Sequence, residues 1–197
     1  MRTIFQIPSG AFVYQLDSSP DGEQLIIAYT EPADGEANPF DRSGLYLLDL
    51  SLTTPMPERL IGAKQANVYF YDPAWSSDGN FIYYVRLERL EEGGQVDQVW
   101  IERFELETGE TIRLAENSTW PRTAHHSNQI TYVAIDPENG VRSVILADPD
   151  GSNAQDLISA GAFNDLDLPF FAPDDRQIYF SVLDVESSRN WLDIVMG

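Results

Sequence analysis

Residues 73–79 read Pro-Ala-Trp-Ser-Ser-Asp-Gly, and the apolar run Ile82–Val85 follows them. Asp-Gly is a strong signal for a tight turn, because both residues tolerate the backbone angles that such turns need. A turn followed at once by a short run of β-branched and aromatic residues is typical of a β-hairpin. The order turn, then apolar strand, is therefore the unit to look for in the rest of the chain.

Three other stretches have the same layout. They are Ser19-Pro20-Asp21-Gly22 before Leu25–Tyr29, His125-His126-Ser127-Asn128 before Ile130–Val133, and Ala172-Pro173-Asp174-Asp175 before Ile178–Phe180. The apolar runs begin at residues 25, 82, 130 and 178, so the last two intervals are both 48 residues. The upstream prolines Pro73, Pro121 and Pro169 keep the same step. This regularity indicates an internal repeat, which decides the architecture.

Each unit has a second half that is also rich in strand-forming residues. These runs are Leu45–Leu52, Val99–Leu106, Val144–Ala147 and Leu192–Val195. No long window has helical spacing, so the sequence predicts an all-β, single-domain chain. Four antiparallel strands in about 48 residues are the size of a propeller blade. We expect about four four-stranded blades in residues 1–197, near 12–62, 68–116, 118–160 and 164–197, plus an N-terminal strand at 3–7.

The ring can close in two ways. Four blades can form a closed ring, in which Thr3–Ile7 supplies the strand that the last unit lacks. Alternatively the chain is part of a larger ring, which self-association could complete. Both arrangements predict that Thr3–Ile7 pairs with an edge strand, since an exposed apolar edge promotes aggregation.

The motifs resemble the repeats of TolB-like, WD-repeat-like β-propellers. Ser-Pro-Asp-Gly at 19–22, the stretch 73–79 and Ala-Asp-Pro-Asp-Gly-Ser-Asn at 147–153 carry this resemblance. The third unit departs from it with His-His-Ser-Asn, and the fourth has Arg176 after two aspartates, where glycine is usual. The resemblance implies an extracytoplasmic location. It also implies a scaffold, a partner-binding domain or the propeller of a prolyl oligopeptidase-like hydrolase.

Composition excludes several classes of function. With 12 basic and 32 acidic side chains the net charge is −20, which argues against binding of nucleic acid or anionic lipid. The chain has no cysteine, so disulfides and thiolate metal sites are excluded. No apolar run approaches the roughly 18 residues that span a membrane, and Met1–Tyr14 lacks the pattern of a signal peptide. We expect no membrane insertion and no cofactor.

Catalytic motifs are not identifiable in the sequence. There is no Gly-x-Ser-x-Gly, and the two histidines, His125 and His126, share one predicted turn. Adjacent residues of a strand point to opposite faces, so this pair is a poor metal site. The turn at 148–153 does not fit a calcium-binding EF-hand loop, which needs glycine sixth and glutamate twelfth. A hydrolase propeller or a carbohydrate-active enzyme that uses a carboxylate pair stays an alternative.

A binding surface is predicted where the inner strands begin. Aromatic residues there pack between blades or form the centre of a binding face. The loops between second and third strands would surround that face with acidic side chains. Those side chains are Glu31, Asp34, Glu36, Asp41, Glu88, Glu91, Glu92, Asp136, Glu138, Asp184 and Glu186. We expect a non-catalytic binding or scaffold module for a protein or peptide partner. The acidic rim would also suit a basic partner. The candidate residues are Tyr71, Asp72, Trp75, Trp120, Arg122, Asp165, Asp167 and Phe170.

Overall fold

The computed structural model describes residues 5–31, 43–63, 67–89, 97–158, 165–183 and 189–195. Within these ranges the chain forms fifteen β-strands and no helix. The strands are β1 Phe12–Ser18, β2 Gln24–Thr30, β3 Ser43–Asp49, β4 Glu58–Gly62, β5 Val68–Trp75, β6 Phe81–Glu88, β7 Gln98–Glu105, β8 Thr111–Glu116, β9 Ser118–Thr123, β10 Ile130–Ile135, β11 Arg142–Ala147, β12 Gln155–Ile158, β13 Asp165–Phe171, β14 Gln177–Leu183 and β15 Arg189–Val195. In these residues no helix is long and apolar enough to cross a membrane.

The strands form four antiparallel sheets in chain order. Three sheets have four strands (β1–β4, β5–β8 and β9–β12), and the fourth has the three strands β13–β15. We call these sheets blades 1 to 4. The all-β architecture and the four-stranded repeat unit predicted from the sequence are confirmed.

The first strand of each blade contacts the first strand of the next. Strand β1 contacts β5, β5 contacts β9, and β9 contacts β13. The described residues show no comparable contact between β13 and β1, so no closed ring is detected. The predicted pairing of Thr3–Ile7 lies partly outside the described residues, and residues 5–7 form no strand.

Alternating side chains of one strand fill the space on both sides of a blade. In β6 the buried side chains of Ile82 and Tyr84 pack toward blade 1, and Tyr83 and Val85 pack toward blade 3. This alternation is the period-two pattern of a strand that is covered on both faces. Each such fully buried side chain stabilises the fold by roughly 1.5–3 kcal/mol. A third apolar cluster, which includes Leu166 and Phe180, joins blades 3 and 4.

Three inner strands contain the same backbone irregularity, again spaced by 48 residues. Asp72, Trp120 and Leu168 have φ of 46°, 52° and 54°, in the left-handed region. Each precedes one of the repeated prolines, and the pairing register of each strand shifts there. A bulge re-aims the side chains beyond it. The bulges therefore change the faces of the blade toward which the following side chains point.

Candidate functional site

An open cleft of about 530 Å³ lies where the inner strands end. We call this end the turn face, because the turns after β1, β5 and β9 lie beside the cleft. All four blades contribute to its lining. The lining residues are Asp17, Ser18, Ser19, Pro20, Ala74, Trp75, Ser76, Ser77, Arg122, Thr123, Ala124, His125, His126, Phe170 and Phe171. A concave site with a few convergent polar groups is the usual form of a ligand site.

Arg122 is a cationic side chain of the cleft, and a hydrogen bond fixes its position. Its side chain is half-buried, and Nη1 donates a hydrogen bond to the Pro121 carbonyl oxygen at 2.7 Å. Among the described residues no carboxylate lies within ion-pairing distance of it. The guanidinium has five N–H donors, so most of them are available for a ligand.

Asp72 is a buried carboxylate whose charge interacts with Arg122. Its exposed fraction is 6%, and burial raises its pKa, although the positive charge of Arg122 offsets part of the rise. This pair was predicted from the sequence as two separate candidates. The structure places them on neighbouring inner strands, β5 and β9.

Asp17 joins blade 1 to blade 2 at the edge of the cleft. One carboxylate oxygen accepts a hydrogen bond from the Trp75 backbone N–H at 2.8 Å, and the other accepts one from the Ser18 N–H at 2.9 Å. Both oxygens are thus held by backbone donors. Sequence reasoning missed Asp17, because its partner lies 58 residues away in another blade.

Asp175 holds the turn that carries the two histidines. Its carboxylate accepts backbone N–H bonds from His125 (2.8 Å), His126 (2.6 Å) and Ser127 (3.1 Å). Burial would raise the pKa of Asp175, but these three donors and the nearby His125 ring bring it below its ordinary value of 3.8. A carboxylate of blade 4 therefore fixes one wall of the cleft, which blade 3 provides.

Phe170 supplies an apolar wall. It is 41% exposed, and its ring stacks on Tyr179 with 5.5 Å between centroids. Large aromatic rings are usually buried, so a half-exposed ring beside a cleft offers contact area to a ligand. The cleft thus has a cationic side and an aromatic side.

The predicted site residues do not all lie together. Arg122, Trp75 and Phe170 line the cleft, although the Trp75 side chain is 4% exposed and packs in the core between blades 1 and 2. Tyr71 is half-buried and makes an edge-to-face contact with Tyr14 at 5.8 Å. The described backbone of Asp165 begins β13.

Trp120 and Asp167 form a second group on the side chain of Arg142. The Arg142 guanidinium lies 5.4 Å from the centroid of the Trp120 ring and makes a salt bridge to the buried Asp167. This cluster joins blades 3 and 4. The charges of Arg142 and Asp167 are paired with each other, and the cluster holds blades 3 and 4 together.

Most of the predicted acidic rim lies outside the described residues. Four of its members are described, and three of these accept hydrogen bonds within the chain. Glu31 accepts a bond from Tyr46, Glu88 from Arg86, and Asp136 from the N–H of Glu138 in its own loop. The rim stays a prediction.

Comparison with known proteins gives structural relatives at low sequence identity. No family profile and no curated protein sequence matches the chain. TolB from Acinetobacter baumannii is similar over 96% of this chain and 40% of its own length, with 17% identity and a TM-score of 0.60. Putative TolB from Agrobacterium tumefaciens is similar over 97% and 69%, with 16% identity and a TM-score of 0.61.

A third similar structure comes from the nidogen/laminin complex. It matches 95% of this chain and 66% of its own length, with 11% identity and a TM-score of 0.60. The chain spans less than half the length of the first TolB structure. The structural match covers nearly the whole of this chain in each case, so it includes all four sheets. The chain therefore has the fold of the TolB-like β-propellers.

Proposed function

We propose that this chain is a non-catalytic binding module that holds a protein or peptide partner in the turn-face cleft. The observation that carries the proposal is the convergence of all four blades on one open cleft. A similar propeller occurs in a nidogen/laminin complex, which is an assembly of proteins. We propose an extracytoplasmic location, as the resemblance to TolB implies.

The cleft has the chemistry that peptide binding needs. In the cleft the exposed Ser18 offers a hydroxyl group for hydrogen bonds, and Phe170 offers apolar contact. Its walls are held by bonds between blades, so the binding surface is formed before a partner arrives. Preorganisation of this kind reduces the ordering that binding would otherwise cost.

The test uses peptides selected from a random display library against the purified chain. Ser18 is exposed at the cleft, and Ser18→Trp should fill part of it. We expect Ser18→Trp to weaken the selected peptides by about tenfold or more, as the loss of 1.4 kcal/mol would. Ser152→Trp places the same side chain in an exposed turn that does not line the cleft and should leave binding unchanged. Equal binding by all three proteins would overturn the cleft as the site.

The rival function is the propeller part of a hydrolase or a carbohydrate-active enzyme. Similar structures include puromycin hydrolase and an oligogalacturonate lyase. Purified chain should show no turnover of ester, peptide or oligogalacturonate substrates above buffer. Turnover that falls when Asp72 or Asp17 is replaced by asparagine would favour the enzyme.

A further inference from the structure

We propose that the turn-face cleft selects a partner segment carrying a carboxylate next to an apolar side chain, with Arg122 as the anchor for the carboxylate. This inference rests on the proposed binding function and names the chemistry of the segment. It differs from the sequence-based expectation of a basic partner, which concerned the opposite end of the inner strands.

The charge of the cleft lining differs from that of the whole chain. The whole chain has far more acidic than basic side chains, yet Asp17 is the single carboxylate among the fifteen lining residues. Both oxygens of Asp17 already accept backbone N–H bonds. Arg122, His125 and His126 are the basic residues of the lining. The cleft is therefore less acidic than the protein around it.

Arg122 has N–H donors that can bind a carboxylate. Arg86, Arg113 and Arg142 each have a carboxylate partner within 4 Å, whereas no described carboxylate lies that close to Arg122, and the charge of the buried Asp72 acts on it over a longer distance. It is also half-buried, so an ion bound there would be screened less than at an open surface. A guanidinium binds a carboxylate with two parallel hydrogen bonds, which gives both affinity and direction.

An apolar wall completes the site. Phe170 is half-exposed on the wall that blade 4 contributes, and Pro20 lies on the wall from blade 1. A ligand that places its carboxylate on Arg122 can lay an adjacent aromatic or aliphatic group against these residues. Both a C-terminal residue and an internal glutamate or aspartate have this chemistry.

The experiment titrates the ¹⁵N-labelled full chain with two pairs of probes. One pair is N-acetyl-Leu-Phe and its C-terminal amide. The other is the amidated peptide N-acetyl-Phe-Glu-Leu and its Gln counterpart. Shifts of the backbone resonances of Ser77, Ala124 and His126 report binding in the cleft. We expect the acid of at least one pair to bind about tenfold more tightly than its neutral partner. The pair that shows the preference identifies the source of the carboxylate.

Variants test whether Arg122 causes the preference. Arg122→Gln should reduce binding of the acid to the level of its neutral partner, and Arg122→Lys should restore part of it. Arg176→Gln is the matched control, since Arg176 is exposed in the blade 4 turn and does not line the cleft. The dispersion of each spectrum shows that the variant is folded.

Three results would overturn the inference. They are equal binding of acid and neutral probes, a preference that survives Arg122→Gln, and acid binding that shifts only resonances outside the cleft. Equal binding within the cleft would leave the peptide-binding function standing. Peptide binding insensitive to Ser18→Trp would instead remove the proposed function itself.

Discussion

The inner strands of blades 2 and 3 end in different ways, although they are equivalent strands of successive 48-residue repeats. In blade 2, Trp75 anchors the strand end in the core, and the turn that follows is held by its own Asp78. Asp78 accepts bonds from the Ser76 hydroxyl at 2.6 Å and the Asn80 N–H at 3.0 Å. The carboxylate that shapes the blade 2 turn thus belongs to that turn, although the neighbouring blades also contact this strand end, through Asp17 on Trp75 and through Asn128 on Ser77.

Blade 3 has neither of these features. Thr123 stands where blade 2 has Trp75, and its hydroxyl donates a hydrogen bond to the Trp75 carbonyl oxygen. The bond from the Ala124 N–H to Gln129 O matches that from Ser76 to Phe81, so His126 occupies the place of Asp78. The turn is held by Asp175 of blade 4 instead. One wall of the cleft thus depends on contacts between blades, which couples the site to the stability of the array.

The largest effect on stability is expected at Trp75, which packs in the core at the end of the blade 2 inner strand. Trp75→Ala should destabilise the chain by about 3–5 kcal/mol, because it empties a large aromatic position in the core. Urea denaturation followed by tyrosine and tryptophan fluorescence measures the loss. Trp75→Phe keeps a ring in the same place and should cost clearly less. A loss under about 1 kcal/mol for Trp75→Ala would mean that the ring is not a core residue, and would return it to the binding surface.

The next effect concerns the support of blade 3. Asp175→Asn removes the negative charge from a group that accepts three backbone N–H bonds. Hydrogen bonds to charged groups are worth more than neutral ones, so we expect a loss of about 1–3 kcal/mol. Hydrogen exchange should show faster exchange at His125, His126 and Ser127, and no change at Gly79 in the blade 2 turn. Uniform acceleration at both turns would contradict the division between the blades.

Low pH should reduce the difference in stability between the wild type and Asp175→Asn. The pKa of Asp175 is lowered in the folded chain, so its carboxylate stabilises the fold above its ordinary value of 3.8 and loses this effect as the pH falls through the folded value. Wild type and Asp175→Asn should differ by a constant free energy of unfolding near neutral pH. Below pH 3.8 the two curves should converge. Curves that stay parallel down to pH 2 would show that the charge of Asp175 is not what holds the turn.

The sequence was informative about the repeat and less so about contacts between repeats. The regular spacing of Pro73, Pro121 and Pro169 identifies the blades, because each unit repeats the same pattern of turn and buried strand. The left-handed backbone at Trp120 and Leu168 was not predictable, since residues before proline prefer extended backbone.

The contact between Asp175 and the blade 3 turn is reflected in the sequence of the two turns. His126 stands where the blade 2 turn has an acidic residue, and the hydrogen bonds of the turns show that Asp175, and not Arg176, stands at the place of Gly79. Each departure was visible alone, but pairing them requires knowing that the two turns are neighbours. The cleft, with Arg122 and Phe170 on different blades, is set by the curvature of the array, which no single repeat encodes.

The smallest effect is also the most specific, because it moves the support of blade 3 from its neighbour to its own turn. His126→Asp restores the carboxylate that blade 2 has at Asp78. In the wild-type background it would face Asp175, whose carboxylate binds the N–H of residue 126, and two like charges should cost about 0.5–1 kcal/mol. In the Asp175→Asn background the new carboxylate is free to accept N–H bonds from its own turn, so the same substitution should be neutral or stabilising.

A double-mutant cycle of urea denaturation measures this coupling, which we expect on the order of 1 kcal/mol. Asp78→Asn combined with Asp175→Asn is the matched control, because these carboxylates hold different turns and their effects should add. Additive effects of His126→Asp and Asp175→Asn would mean that the two residues do not support the same turn. A gain in stability from His126→Asp in the Asp175→Asn background would show that a carboxylate of its own can hold the blade 3 turn, as Asp78 does in blade 2.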